Sequence, residues 1–104
     1  MDEETIISEY SLEQAIEDGV LVEVFKDMWN TLSDGKPIVA TAHLFSQVSL
    51  PGLLEIWNEY VEWRTNVMPT LPEEEQLFAT TMNSDKIWLL EDGAAFTMLY
   101  PEDY

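Results

Sequence analysis

Ser49-Leu50-Pro51-Gly52-Leu53-Leu54-Glu55-Ile56-Trp57-Asn58-Glu59-Tyr60-Val61-Glu62-Trp63-Arg64-Thr65-Asn66 is the stretch on which the fold turns. Ser49 supplies an N-cap and Pro51 an early-turn proline, whose fixed φ and missing N–H suit a helix start, so the pattern predicts a helix over 51–66. At 3.6 residues per turn, Leu53, Leu54, Ile56, Trp57, Tyr60, Val61 and Trp63 fill one half of its wheel, and Glu55, Glu59 and Glu62 stand opposite. One half must find a second layer to pack on; the other is anionic.

Downstream, Met68-Pro69-Thr70-Leu71-Pro72 breaks this helix. Pro72 followed by Glu73-Glu74-Glu75 is the proline-plus-acid start expected where the macrodipole favours carboxylates, and it predicts a further helix running to about Met82. Two apolar runs, 86–90 and 95–100, flank Glu91-Asp92-Gly93-Ala94, where Asp92-Gly93 suits a type I′ turn, so this part reads as a hairpin followed by a polar tail. Upstream, Pro37 can sit at the start of a strand over 38–41, while 43–48 fits no single pattern. Phe25, Met28, Trp29 and Leu32 have helical spacing and Asp34-Gly35 ends that segment. Residues 20–24 are dense in branched side chains and read as a strand. Ser11 and Gln14 stand at capping-box spacing before Leu12, Ala15 and Ile16, with Gly19 as a stop. Residues 1–10 are open between a flexible arm and a short edge strand. The expectation is one α+β domain of 104 residues: a small antiparallel or mixed sheet from 20–24, 38–41, 86–90 and 95–100, packed against one long and several short helices on one face.

Composition narrows the function. The chain has 21 Asp and Glu against 4 Lys and Arg, a formal charge of −17, which argues against direct binding of nucleic acid or of an anionic membrane. Leu, Ile, Val and Phe supply 29 of 104 residues, above the roughly one-fifth below which acidic chains stay disordered, so a folded core is expected. There is no cysteine, hence no disulfide or thiolate chemistry, and no signal peptide or apolar span is recognisable. A cytoplasmic protein without a cofactor is expected. His43 is the one histidine and lacks a nucleophile-elbow pattern, and neither Asp34-Gly35 nor Asp92-Gly93 has the frame of a calcium loop. Trp29, Trp57, Trp63 and Trp88 could stack bases, but the charge would repel the strand, so they read as core or interface residues. A symmetric homodimer is compatible with the pattern, with Trp63 at the edge of the apolar arc as its contact. Enzymatic chemistry is not expected.

A small domain stays soluble with a net charge of about 2 to 8, and more costs stability by self-repulsion. A compact chain of this length is roughly 33 Å across, and duplex DNA of that length carries about 20 charges. Helix carboxylates four residues apart lie about 6 Å from each other, comparable with neighbouring phosphates. The candidate residues for a phosphate-like surface are Glu55, Glu59, Glu62, Glu73, Glu74 and Glu75, with Glu13, Glu17 and Asp18 behind them.

Tyr10 to Val24, Tyr10-Ser11-Leu12-Glu13-Gln14-Ala15-Ile16-Glu17-Asp18-Gly19-Val20-Leu21-Val22-Glu23-Val24, resembles the opening of a domain-of-unknown-function family of small acidic proteins carried by plasmids and phages. Lys36-Pro37-Ile38-Val39-Ala40-Thr41 is similar to that family's Pro-Val-Ala-Leu-Thr segment, and Met98-Leu99-Tyr100-Pro101-Glu102-Asp103 to its closing apolar-Pro-acid-acid segment. The chain departs from the pattern over 44–84, and the resemblance brings no catalytic residues with it. It implies a mobile-element setting in a bacterial host. Together with the charge, this leads to the expectation of an inhibitor that mimics nucleic acid and binds a basic nucleic-acid-binding host protein such as a CRISPR effector or restriction enzyme. The competing expectation is an adaptor or regulatory module that binds its partner through apolar and aromatic surface.

Overall fold

Branched and aromatic runs become strands and the two-sided stretch becomes the long helix in the computed structural model, which describes residues 12–104. The reading of 1–10 as an arm or edge strand lies outside the described residues. In chain order the elements are α1 (Leu12–Glu17), β1 (Leu21–Glu23), α2 (Trp29–Leu32), β2 (Ile38–Thr41), α3 (Ala42–Gln47), α4 (Leu50–Asn66), β3 (Phe78–Met82), β4 (Asp85–Glu91) and β5 (Phe96–Leu99). Short 3-10 turns at Lys26–Met28, Met68–Thr70, Glu73–Glu75 and Pro101–Asp103 complete the set. The fold is α+β, as expected. Its sheet is mixed, in the order β1-β2-β5-β4-β3, with β2 and β5 parallel and the other neighbours antiparallel. α3 and α4 carry the chain from β2, beside the β1 edge, to β3 at the far edge, and the meander β3-β4-β5 fills the gap on the way back.

The period-2 alternation of each strand divides the sheet into two faces. Ile38, Ala40, Phe78, Ile87, Leu89, Phe96 and Met98 join Leu53, Ile56, Trp57 and Tyr60 of α4 in one buried cluster. Its aromatic centre is built edge to face: the Phe96 ring is 5.0 Å from Trp57, and the Phe78 ring is 5.5 Å from both Tyr60 and Trp63. Such pairs add about 0.5–1.5 kcal/mol each beyond area burial. Gly52 seats the start of α4 against β3, since a β-carbon there would stand 2.8 Å from Val48 Cγ1 and 3.2 Å from Met82 Sδ. The buried arc is narrower than the wheel predicts: Val61 is exposed and Leu54 half-buried. α1 is not a companion of α4. Leu12 and Ala15 lie on the other face with Leu21, Thr41, Thr97 and Leu99.

Three local expectations need correction or completion. The helix predicted from Pro72 to about Met82 is a single 3-10 turn followed by β3. Gln76 Nε2 donates to the carbonyls of Met68 and Leu71 at 3.2 and 3.0 Å, which folds the acidic turn back on the end of α4. From Phe78 onward, pairing with β4 over five positions outweighs the local helix start, and the β-branched Thr80 and Thr81 fit the pleat. The type I′ turn is not at Asp92-Gly93, where neither φ is positive. There Asp92 Oδ1 accepts from the amides of Ala94 and Ala95 at 2.8 and 2.9 Å, so a side chain closes the loop. The two left-handed residues instead are Asn83 and Ser84, φ 56° and 72°, between Met82 and its partner Asp85. Finally, the ambiguous 43–48 is α3, begun by Thr41, whose Oγ1 accepts from the Leu44 amide at 3.2 Å.

Candidate acidic interface

The six carboxylates singled out on α4 and after it share one side of the molecule. Glu59 Oε1 accepts from Thr80 Oγ1 at 2.6 Å, so this helix position stands beside the outer strand β3. Glu55 lies one turn earlier on the same stripe and Glu62 three residues later, both exposed. Glu73, Glu74 and Glu75 occupy the exposed turn that leads into β3, held in place through Gln76. Among the described residues none of the six has an ion-pair partner. Neighbouring like charges therefore project into water, where the field they create is not neutralised by the protein itself.

Glu13, Glu17 and Asp18 belong elsewhere. Glu13 and Glu17 are on α1 and Asp18 follows it, and α1 packs on β1, the opposite outer strand. Four strand spacings separate the two edges, about 19 Å. Asp18 accepts from Gln14 Nε2 at 3.3 Å and the two glutamates are exposed. The sequence ranks these three behind the other six without placing them; the fold puts them on a separate edge, since strand order decides which segments are neighbours.

Cations are spent on other carboxylates. Lys36 Nζ and Arg64 Nη2 both bind Glu91, at 3.0 and 3.1 Å, and both lie over the Phe96 ring. Lys26 pairs with Glu23 at 3.5 Å beside β1. Three of the chain's four Lys and Arg are thus engaged with carboxylates outside the candidate set. Next to the Glu91 cluster, burial pushes the Tyr60 phenol above its ordinary value, with Arg64 opposing and Glu91 adding to the rise.

His43 is held, not poised. Its Nδ1 lies 3.0 Å from Asp103 Oδ2 and its ring 4.7 Å from that of Tyr100. Ser46 Oγ donates to the His43 carbonyl, away from the imidazole. Burial raises the Tyr100 phenol, and Asp85, Glu102 and Asp103 raise it further. Among the described residues no group of three or more His, Asp or Glu is placed to hold a metal ion, and no helix is long and apolar enough to cross a membrane. Trp63, the candidate dimer contact, packs its ring on Tyr60 and Phe78, 6.0 and 5.5 Å away, and is half-buried. Asp85, the first residue of β4 and the register partner of Met82, was missed by sequence reasoning; the Asn83-Ser84 pair beside it was the available signal. On the opposite sheet face runs an apolar groove of about 710 Å3, lined by Leu12, Ala15, Val20, Leu21, Leu90 and Leu99 among others. Comparison with known protein families, with curated proteins and with solved structures finds no match for this chain.

Proposed function

We propose that this protein is a non-enzymatic inhibitor from a phage or plasmid that occupies the basic nucleic-acid channel of a host defence protein, a CRISPR effector or a restriction enzyme, by presenting carboxylates where phosphates would lie. The observation that carries this reading is the set of six exposed carboxylates, Glu55, Glu59, Glu62, Glu73, Glu74 and Glu75, on α4 and on the turn before β3, none of which has an ion-pair partner among the described residues. The principal extents are 38 × 32 × 29 Å, and duplex DNA of comparable length carries about 20 phosphate charges, close to the −17 of this chain. Rigid carboxylates on a folded surface lose less entropy on binding than a disordered polyanion does. A low-salt pull-down from a bacterial lysate, challenged with duplex DNA and with salt, tests it. Capture of a nucleic-acid-binding protein that both competitors release, and that Glu55→Lys/Glu59→Lys/Glu62→Lys no longer captures, is the expected result.

The apolar groove beside α1 favours a second reading, an adaptor that docks through aliphatic surface. Salt separates the two, because an electrostatic complex weakens steeply with added salt and an apolar one does not. Capture that survives salt and DNA moves the binding face to the groove.

A further inference from the structure

The outer edge of β3 is open in a way that edge strands of soluble proteins seldom are. Such edges are usually blunted by a charge, a proline, a bulge or extreme shortness, because unpaired amides and carbonyls invite another strand. Here Leu77-Phe78-Ala79-Thr80-Thr81-Met82 carries no charge and no proline, and β3 pairs with β4 over five consecutive positions without a bulge. The two-residue hairpin at Asn83-Ser84 fixes which backbone groups face out. Met82 and Asp85 flank the turn and form a hydrogen-bonded pair, so Phe78, Thr80 and Met82 bond to β4, and Ala79 and Thr81 turn their N–H and C=O away from it. Among the described residues those outward groups have no hydrogen-bond partner, and the Ala79 and Thr81 side chains are exposed as well.

The surroundings state what could pair there. Glu59 accepts from Thr80 on this strand, Glu55 and Glu62 are exposed on the same helix one turn to either side of Glu59, Glu73 to Glu75 precede the strand, and Asp85 opens β4 across the hairpin. Lys86, the register partner of Thr81, sits one strand inward. A second copy of this chain would bring another −17 to the contact, so like-charge repulsion guards the edge where sequence devices do not. An extended segment bearing Lys or Arg meets the opposite condition: its backbone completes the ladder and its alternate side chains reach the glutamates.

We infer that the β3 edge is a strand-addition site for an extended, Lys/Arg-bearing segment of a partner protein, with main-chain hydrogen bonds to Ala79 and Thr81 giving the contact its register. This rests on the reading that the partner is basic, and adds that the partner is held by backbone pairing as well as by charge.

The probe is a synthetic eight-residue peptide of alternating Lys and Val, compared with the same peptide N-methylated at the amides of its pairing edge, which keeps charge and shape but removes the donors. Binding to the full chain is followed by amide NMR and hydrogen exchange at 50 mM and 300 mM salt. The expected result is slowed exchange confined to Ala79, Thr81 and their neighbours, and at least tenfold weaker binding of the methylated peptide at both salt levels. Thr81→Pro removes an outward N–H that β4 does not use, and should weaken the parent peptide to a similar degree. Ala79→Pro serves the same purpose if near-UV circular dichroism shows that Thr81→Pro has disturbed the sheet. Equal binding of the two peptides would overturn the inference while leaving the charge-based reading of the function standing. So would absence of binding, or exchange protection spread away from β3. Self-association of the free protein through this strand would assign the edge to a second copy instead and overturn it too. Conversely, strand addition that survives alongside an unaltered pull-down by the α4 triple variant would sink the mimic reading and keep this one.

Discussion

The two outer strands of the sheet solve the same problem in opposite ways. β1 is three residues long, carries Glu23 paired with Lys26, and has α1 and α3 packed beside it. β3 is five residues long and uncharged, with its outward amides unpaired among the described residues. Both edges have carboxylates nearby, but only those at β3 stand along an open ladder. The difference teaches that net charge alone says little about where a partner binds. Charge placed beside unsatisfied backbone is selective, because it repels copies of the same chain and attracts extended segments of opposite sign.

Reversing charge at one edge and then the other is the sharpest way to break this comparison. Lys at Glu55, Glu59 and Glu62 should weaken capture of a basic partner by about 100-fold or more at low salt, whereas Lys at Glu13, Glu17 and Asp18 changes the same three charges and should weaken it by less than about tenfold, through the long-range field alone. Equal losses, measured by titration against the captured protein, would show that only total charge matters.

Stability should differ between the edges as well. Phe78→Ala removes a ring that packs on Tyr60 and Trp63 and is expected to cost about 3–5 kcal/mol. Val22→Ala, on the half-buried β1, should cost about 1 kcal/mol. Urea unfolding of the two variants gives the comparison directly, and a larger loss at Val22 would mean that β1 anchors the sheet.

The smallest effects are in the two turns. Ser84 has a φ of 72°, a conformation that costs an L-residue roughly 1 kcal/mol, so Ser84→Gly should raise stability by about 0.5–1 kcal/mol. Gly93 has no positive φ and open space around its α-carbon, so Gly93→Ala is tolerated and should itself stabilise by about 0.4–1 kcal/mol, by restricting the unfolded chain. Thermal unfolding would read both. A destabilising Gly93→Ala would show that the Asp92-capped loop needs glycine after all.

These turns also mark how far the sequence could be read. Asp92-Gly93 has the composition of a type I′ turn and is instead closed by the Asp92 side chain, which satisfies Ala94 and Ala95 without any left-handed residue. Asn83-Ser84 has a weaker signature and takes the left-handed pair, because the register of β3 on β4 leaves two residues to reverse the chain. The start at Pro72-Glu73-Glu74-Glu75 was legible as a helix start and became one 3-10 turn, since strand pairing further along could bury Phe78 and a longer helix would have left it on a polar surface.

What the sequence determined by itself is whatever depends on neighbours three or four residues apart or two apart: the two-sided α4 with its buried aromatics and exposed Glu55, Glu59 and Glu62, the strands of β1, β2, β4 and β5, the α+β class and the anionic surface. What the tertiary structure alone decided depends on partners far along the chain. Strand order put Glu13, Glu17 and Asp18 at the edge opposite the other six carboxylates, pairing converted residues 78–82 from helix to strand, and that strand's place at the end of the sheet left Ala79 and Thr81 facing outward. Periodicity is a local property of a chain, whereas which edge remains open is settled by loop closure and burial over the whole molecule.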